Sequence, residues 1–444
     1  MNPVSEIDHL MKSSGARGWL QRQRPYVLTI WAMVSAFAAY GCMYAFRKPF
    51  SAATYAGTYW GLDYKVLLVL SQLVGYTASK FLGIKFVSEA TPARRVAMVL
   101  LLIGFAEGAL LLFGLVPAPW NAGLLFLNGL PLGMIWGLIF GFLEGRRVTE
   151  CMALGLSLSL IFSSGWMKAA GLYLMQHWQV SELWMPALTG ALFVPLLLLS
   201  LWMLAVLPPP NAEDVAARTL RRPMDRTARH AFLRQHWLGV VLMVAGYMGL
   251  MTYRDVRDTF EVNILQELGV KAQAAQLIGI ETLVGIIVIA AVSCFSMIQS
   301  NRIAFNACCG LIAFGGLLTG SATWLLQAGL LGPQAWMVAT GVGLYTAFIP
   351  YQAILFERLL ANLHVVGTAA FLVVVCDSYG YLSTITLYFY REFGTSHISW
   401  VRLITMLGYA LGVFLPIVVL SGGYIFARHR KTGGEVLASS PATL

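Results

Sequence analysis

The chain has 444 residues, of which 58% are hydrophobic and only 11% are charged. A soluble domain carries about 25% charged residues, so this composition excludes an ordinary soluble protein. A formal net charge of +10 would favour a nucleic-acid partner in a soluble protein. Here the basic residues lie mainly in alternate loops between apolar runs, which is the positive-inside pattern of a membrane protein. We therefore predict no nucleic-acid partner.

Apolar runs of about 20 residues recur along the chain and predict an all-α, polytopic membrane protein. Twelve transmembrane helices are expected, at 27–60, 64–87, 95–116, 121–145, 150–175, 184–207, 237–265, 273–299, 302–327, 334–359, 364–390 and 399–427. The longest polar break follows the sixth helix and divides the chain into two six-helix halves.

The predicted organisation has five parts. They are a cytoplasmic N-terminal segment (1–26), an N-terminal half (27–207), a cytoplasmic central loop (208–236), a C-terminal half (237–427) and a cytoplasmic tail (428–444). Both termini are expected in the cytoplasm, because the basic loops all fall on one side. We predict a monomer in a bacterial inner membrane, with no cofactor and no metal site.

Three cations interrupt the apolar runs and are candidate solute-binding residues: Arg47, Lys80 and Arg254. If the first helix runs through Pro49 to the aromatic residues near Trp60, Arg47 lies roughly 18 Å from the membrane surface. If that helix ends at residue 46, Arg47 would instead extend towards the headgroups. Each cation inside a bilayer costs about 2.5–3.5 kcal/mol, so we favour a site that an anion visits.

The two halves share a spacing that supports a common design. An offset of 207 residues superposes Tyr40 on Tyr247 and Arg47 on Arg254, in the first helix of each half. Internal repeats with a binding site at their interface are a general feature of transporters. We interpret Arg47 and Arg254 as a paired anion clamp, with Lys80 assisting.

Further polar residues on the same helices complete the predicted site. The aromatic candidates for solute binding are Tyr40, Tyr44, Tyr76, Tyr247 and Tyr351. The candidates for ion coupling or gating are Glu281, Asp377, Arg257 and Asp258. The acids could carry a coupling proton or could form salt bridges with the cations, and the pattern leaves both roles open.

A small-residue pattern predicts one close helix contact. Glycines recur every four residues from Gly129 to Gly145 in the fourth helix, and Gly75, Ser79 and Gly83 form a shorter face on the second. Glycine lets two helix backbones approach closely, so we expect these faces to pack tightly.

The motifs resemble a known group of transporters. The stretch 44–50 (Tyr-Ala-Phe-Arg-Lys-Pro-Phe) and the stretch 75–81 (Gly-Tyr-Thr-Ala-Ser-Lys-Phe) are similar to first- and second-helix motifs of the organophosphate:phosphate antiporters in the major facilitator superfamily. That resemblance implies that Arg47, Lys80 and Arg254 contact phosphate. The fifth-helix histidine of those antiporters has no counterpart here. The stretches 47–50 and 349–358 also resemble an uncharacterised branch of the superfamily.

Together these features predict a secondary active transporter, an antiporter or symporter, of a small organic anion by alternating access. A proton-coupled transporter of a neutral or cationic solute that uses Glu281 and Asp377 is the first alternative. A non-transporting membrane sensor is the second. The seven histidines are scattered and the only long polar loop is basic, so we predict that the protein is not an enzyme.

Overall fold

The computed structural model describes residues 15–88, 92–143, 149–209, 226–298, 300–363, 370–394 and 398–438. These residues are almost entirely helical and divide into two compact units. One comprises Met1–Thr219 with Gln273–Ile278, and the other Leu220–Ala272 with Gly279–Leu444. The predicted boundary loop, 208–236, lies largely outside the described residues.

The first unit contains eight of the helices formed by the described residues. They are α1 (Ala16–Gln21), α2 (Pro25–Ala45), α3 (Tyr64–Ser88), α4 (Pro92–Leu115), α5 (Ala122–Leu132), α6 (Ile135–Leu143), α7 (Thr149–His177) and α8 (Met185–Ala205). The α2 helix packs on α7 and α8, while α5 packs on α3 and α4.

The second unit holds the helices of the C-terminal half. They are α9 (Arg226–Thr259), α10 (Glu261–Glu267), α11 (Ala274–Ser293), α12 (Asn301–Gln327), α13 (Pro333–Pro350), α14 (Phe356–Asn362), α15 (Ala370–Phe393) and α16 (Trp400–Ala438). The first residues of α11, up to Ile278, belong to the first unit. A π-helix, Tyr351–Leu355, joins α13 to α14. The α12 helix packs on α13 and α16, and α9 packs on α15 and α16.

Most of the long helices have the composition of membrane spans. Among the described residues, ten helices are long and apolar enough to cross a bilayer. The long helices α3 and α7, with 25 and 29 residues, are not among the ten. Each contains a fully buried lysine, Lys65 in α3 and Lys168 in α7. The predicted all-α, polytopic membrane class is confirmed.

The prediction of one continuous helix over 27–60 is wrong. The α2 helix ends at Ala45, because Pro49 has no backbone N–H to donate to the carbonyl four residues earlier. A 3₁₀ helix, Pro49–Ala52, follows, and then a hairpin of β1 (Thr58–Tyr59) and β2 (Leu62–Asp63). The two hairpin loop residues, Trp60 and Gly61, both have positive φ, as a type I′ turn requires.

The glycine face of α5 makes a close helix contact, as predicted, and the structure identifies its partner as α3. A Cβ at Gly129 would lie 2.3 Å from the Gln72 carbonyl oxygen, and one at Gly75 would lie 2.2 Å from the Phe126 carbonyl oxygen. No side chain fits at either position without moving a backbone. The contact matters for the site, because it sets the spacing of the polar residues that α3 and α5 carry.

Candidate functional site

The end of α2 leaves two backbone carbonyls inside the first unit without a helical partner, those of Phe46 and Arg47. Both accept hydrogen bonds from buried side-chain amides. Asn128 Nδ2 donates to the Phe46 oxygen at 3.0 Å, and Gln72 Nε2 donates to the Arg47 oxygen at 3.1 Å. The two amides are also bonded to each other, at 2.8 Å. Such partners are necessary because no water is available to a helix end within a bilayer.

Arg47 lies in the turn that these amides hold, and its side chain is directed onto α3. The guanidinium carbon lies 3.7 Å from the centre of the Tyr76 ring, and Arg47 is only 5% exposed. Tyr76 follows Tyr64, the first residue of α3, by twelve positions, which places it about 18 Å along the helix. Arg47 is therefore buried in the unit beside the middle of α3, although the first helix stops before it. Its depth relative to the headgroups stays a prediction.

Lys80 belongs to the same group. Its Nζ lies 5.7 Å from the centre of the Tyr76 ring, one helical turn further along α3. The structure thus brings together three of the predicted solute-binding residues, Arg47, Tyr76 and Lys80. Two cations around one aromatic face provide a local positive potential and, from the arginine, a planar set of donors.

The two tyrosines predicted on α2 lie next to this group in the sequence. Tyr40 and Tyr44 are buried and form an edge-to-face pair with ring centres 5.5 Å apart. The Tyr44 carbonyl oxygen accepts hydrogen bonds from the backbone N–H groups of Arg47 and Lys48, at 3.1 and 2.9 Å. Tyr44 therefore helps to fix the turn that carries Arg47.

Three further cations of the first unit are buried. Lys48, Lys65 and Lys168 are all less than 10% exposed, and Lys65 Nζ donates to the Ser51 carbonyl oxygen at 2.7 Å. Lys65 was missed because it comes at the start of a helix, where a lysine ordinarily faces the headgroups. The sequence did offer one signal for a buried Lys65: no other charged residue lies between Lys65 and Lys80.

In the second unit, Arg254 lies in an aromatic cluster. Its guanidinium carbon is 4.5 Å from the centre of the Phe348 ring, and Arg254 is half-buried. Phe348 stacks on Tyr247 at 5.4 Å, and Tyr247 meets Tyr351 edge to face at 5.5 Å. Phe348 was not predicted, since a phenylalanine in an apolar run carries no signal of its own. It contacts two predicted residues, Arg254 and Tyr247.

Tyr247 is also part of a buried polar triad. Its hydroxyl donates to Asp377 Oδ1, and Gln352 Nε2 donates to the tyrosine oxygen at 2.5 Å and to Asp377 Oδ1 at 3.2 Å. Gln352 is in the π-helix that joins α13 to α14, and π-helical turns often accompany functional sites. The triad places a carboxylate, a phenol and an amide in contact within one unit.

The other predicted coupling residues form a second polar group. Arg257 Nη1 donates to Glu281 Oε1 at 2.8 Å, and its Nη2 donates to the Met337 carbonyl oxygen at 3.0 Å. Both charged side chains are almost inaccessible to solvent. Asp258 is buried on the same helix, α9. Of the two roles left open for Glu281, the structure shows the salt bridge.

Within the described residues, no group of three or more His, Cys, Asp or Glu side chains could hold a metal ion. The polar groups are instead built from cations, amides, aromatic rings and, in the second unit, the single carboxylates of Asp377 and Glu281. Such groups suit the recognition of an organic solute.

The fold is similar to that of two solved transporters. A D-xylose-proton symporter matches with a TM-score of 0.61 and 12% sequence identity, covering 91% of this chain and 97% of that one. The nucleoside transporter NupG matches with a TM-score of 0.57 and 13% identity, covering 89% of this chain and 99% of that one. At this identity the likeness shows the fold, which is the predicted major facilitator architecture.

The sequence itself matches one protein family over most of its length. No curated protein sequence matches the chain. The family match covers residues 49–429. It begins two residues after Arg47 and includes the polar groups of the second unit. The chain therefore belongs to the family described as "Family of unknown function (DUF5690)".

Proposed function

We propose that the protein is a secondary transporter that moves a small anionic solute, an organophosphate or a carboxylate, by alternating access. The observation that carries this proposal is the placement of Arg47 and Lys80 around the Tyr76 ring. Like charges in a poorly solvated region repel each other, and an anion bound beside both would relieve that repulsion. The fold likeness to two transporters supports transport as the general activity.

The arginine favours a solute with a carboxylate or phosphate group. A guanidinium offers paired N–H donors in a plane, and these match two oxygens of such a group. The contact with Tyr76 uses the face of the Arg47 guanidinium and not its in-plane N–H donors. Gln72 and Asn128 hold the backbone at this turn, so the guanidinium is pre-positioned. The role of Arg254 as a second solute-binding cation stays a prediction.

A thermal-shift screen of the purified protein tests the proposal. Phosphate esters and carboxylates should raise the melting temperature, whereas amines and neutral sugars should leave it unchanged. Arg47→Gln should remove the response to anions, because it removes the charge and keeps a similar length. Arg402→Gln serves as a matched control, since Arg402 is an exposed residue of α16. Stabilisation of both the wild type and Arg47→Gln by a neutral sugar or an amine, with no response to anions, would overturn the proposal.

Uptake into proteoliposomes then tests transport with the anion found in the screen. Loss of one charge-assisted hydrogen bond costs about 1.5–3 kcal/mol, so Arg47→Gln should reduce uptake at low solute concentration by roughly 10- to 100-fold. Unchanged uptake by Arg47→Gln would remove Arg47 from the site.

A second candidate function rests on the triad of Tyr247, Gln352 and Asp377. A buried carboxylate in contact with a phenol can exchange a proton, which would suit a proton-coupled transporter of a neutral or cationic solute. One of the two similar structures is that of a D-xylose-proton symporter. The two candidates differ in the screen described above, because only the second predicts a response to sugars or amines.

A further inference from the structure

An apolar groove opens on the surface of the first unit, along the N-terminal part of α2. Its volume is about 260 Å³, and its lining residues are Val27, Ile30, Trp31, Val34 and Met203. The four residues from α2 are spaced by three, four and seven positions, so they form one helix face. Ile30 and Val34 are more than half exposed. The described residues of the unit leave this face largely uncovered.

Three tryptophans fix the groove at one end. Trp31 Nε1 donates to the Met203 carbonyl oxygen at 2.9 Å, which ties α2 to the last turn of α8. The Trp31 ring lies 6.2 Å from that of Trp19 and 6.4 Å from that of Trp202. Tryptophan is enriched where a bilayer meets water, so this end of the groove is the one nearest to the headgroups.

Basic residues surround the same end. Arg17, Arg22 and Arg24 are exposed, and Arg17 Nη2 donates to the Ala205 carbonyl oxygen at 2.8 Å. Arg24 is the residue that precedes the first turn of α2, one turn before the groove begins at Val27. Residues 15–34 and 185–207 contain no Asp or Glu. The charge that these two segments contribute at this end is therefore positive.

The distance from Arg24 to the far end of the groove at Val34 matches one leaflet of a bilayer. Arg24 and Val34 are ten positions apart, which corresponds to about 15 Å along a helix. A hydrocarbon core is about 30 Å thick, so one leaflet is about 15 Å. We propose that this groove binds one anionic phospholipid, with an acyl chain against Val27, Ile30 and Val34 and the phosphate between Arg22 and Arg24.

The assignment follows from the chemistry at the two ends. Arginine binds phosphate oxygens through paired N–H groups, and juxtamembrane basic residues attract anionic lipids. A bound acyl chain would cover the exposed side chains of Ile30 and Val34. It would do so without disturbing the hydrogen bond by which Trp31 joins α2 to α8. This lipid site is separate from the solute site, and its test does not depend on the proposed transport activity.

Native mass spectrometry tests this proposal. The purified protein is delipidated in a neutral detergent and titrated with phosphatidylglycerol or with phosphatidylcholine of the same acyl chains. The wild type should bind one phosphatidylglycerol about tenfold more tightly than phosphatidylcholine, as expected for two nearby arginines. The double variant Arg22→Gln/Arg24→Gln should lose the preference. Arg428→Gln, which removes an exposed arginine from α16, should keep it.

A second variant tests the groove independently of charge. Val34→Trp should fill the groove and abolish the single tight lipid, while the exposed position tolerates the larger side chain without loss of folding. Equal binding of the two lipids by the wild type would overturn the proposal. The same conclusion would follow if the double arginine variant kept the preference or if Val34→Trp bound phosphatidylglycerol as tightly as the wild type.

Discussion

The Arg47 guanidinium lies 3.7 Å from the centre of the Tyr76 ring, about 18 Å along α3 from its first residue. This contact joins a turn that follows α2 to the middle of another helix. The turn exists because Pro49 ends α2, and it remains stable because two amides bind its carbonyls. The position of the cation is thus a consequence of the helix break rather than of a continuous helix.

The contact between Arg47 and Tyr76 should be measurable as a coupling energy. Tyr76→Leu removes the aromatic face and should lower the free energy of unfolding by about 1–2 kcal/mol, whereas Tyr76→Phe keeps the ring and should cost less. A double-mutant cycle with Arg47→Gln, measured by denaturant titration in detergent, should give non-additive effects. Additivity within about 0.5 kcal/mol would mean that the ring and the guanidinium do not interact.

The helix contact at Gly129 should be intolerant of any side chain. Gly129→Ala places a Cβ 2.3 Å from the Gln72 carbonyl oxygen, so α3 and α5 must separate. The expected loss is about 1–3 kcal/mol of unfolding free energy. Gly123→Ala is the matched control on the same helix, because a Cβ there has no atom within 4 Å. A similar melting temperature for the two variants would contradict this account.

The buried pair of Arg257 and Glu281 should be costly to break from one side. Glu281→Gln leaves the guanidinium without its carboxylate partner and should destabilise the protein by about 3–5 kcal/mol. The double variant Arg257→Met/Glu281→Leu removes both charges and should be more stable than Glu281→Gln. Thermal unfolding in detergent measures both. A double variant less stable than Glu281→Gln would contradict this prediction. It would mean that the attraction between the two charges exceeds the free energy needed to bury them.

Asp377 should matter for coupling if the triad exchanges a proton. Asp377→Asn keeps an oxygen that can accept from Tyr247 but cannot carry the proton. Accumulation driven by an inward proton gradient should then fall to the level of passive equilibration, while solute exchange across the membrane continues. Thr386→Ala, an exposed position on the same helix α15, is the control. Gradient-driven accumulation by Asp377→Asn at the wild-type level would exclude this role.

Much of the architecture could be predicted from the sequence, for physical reasons. A bilayer accepts only long apolar helices here, so hydropathy located the spans to within a few residues, as at α4 and α12. The glycine spacing indicated a close contact, because no other residue permits that approach. Arg47, Tyr76 and Lys80 could be singled out because charged and polar residues in such runs are costly.

The composition and the repeated apolar runs by themselves determined that the chain is a polytopic helical membrane protein, and they identified Arg47 and Arg254 as unusual residues. Tertiary structure alone decided that α2 stops at Ala45 and that Asn128 donates a hydrogen bond to the Phe46 carbonyl beyond that end. It also decided that Phe348 lies between Arg254 and Tyr247. Those contacts join residues distant in the chain. Local spacing carries no information about which distant side chain meets an exposed carbonyl or a cation.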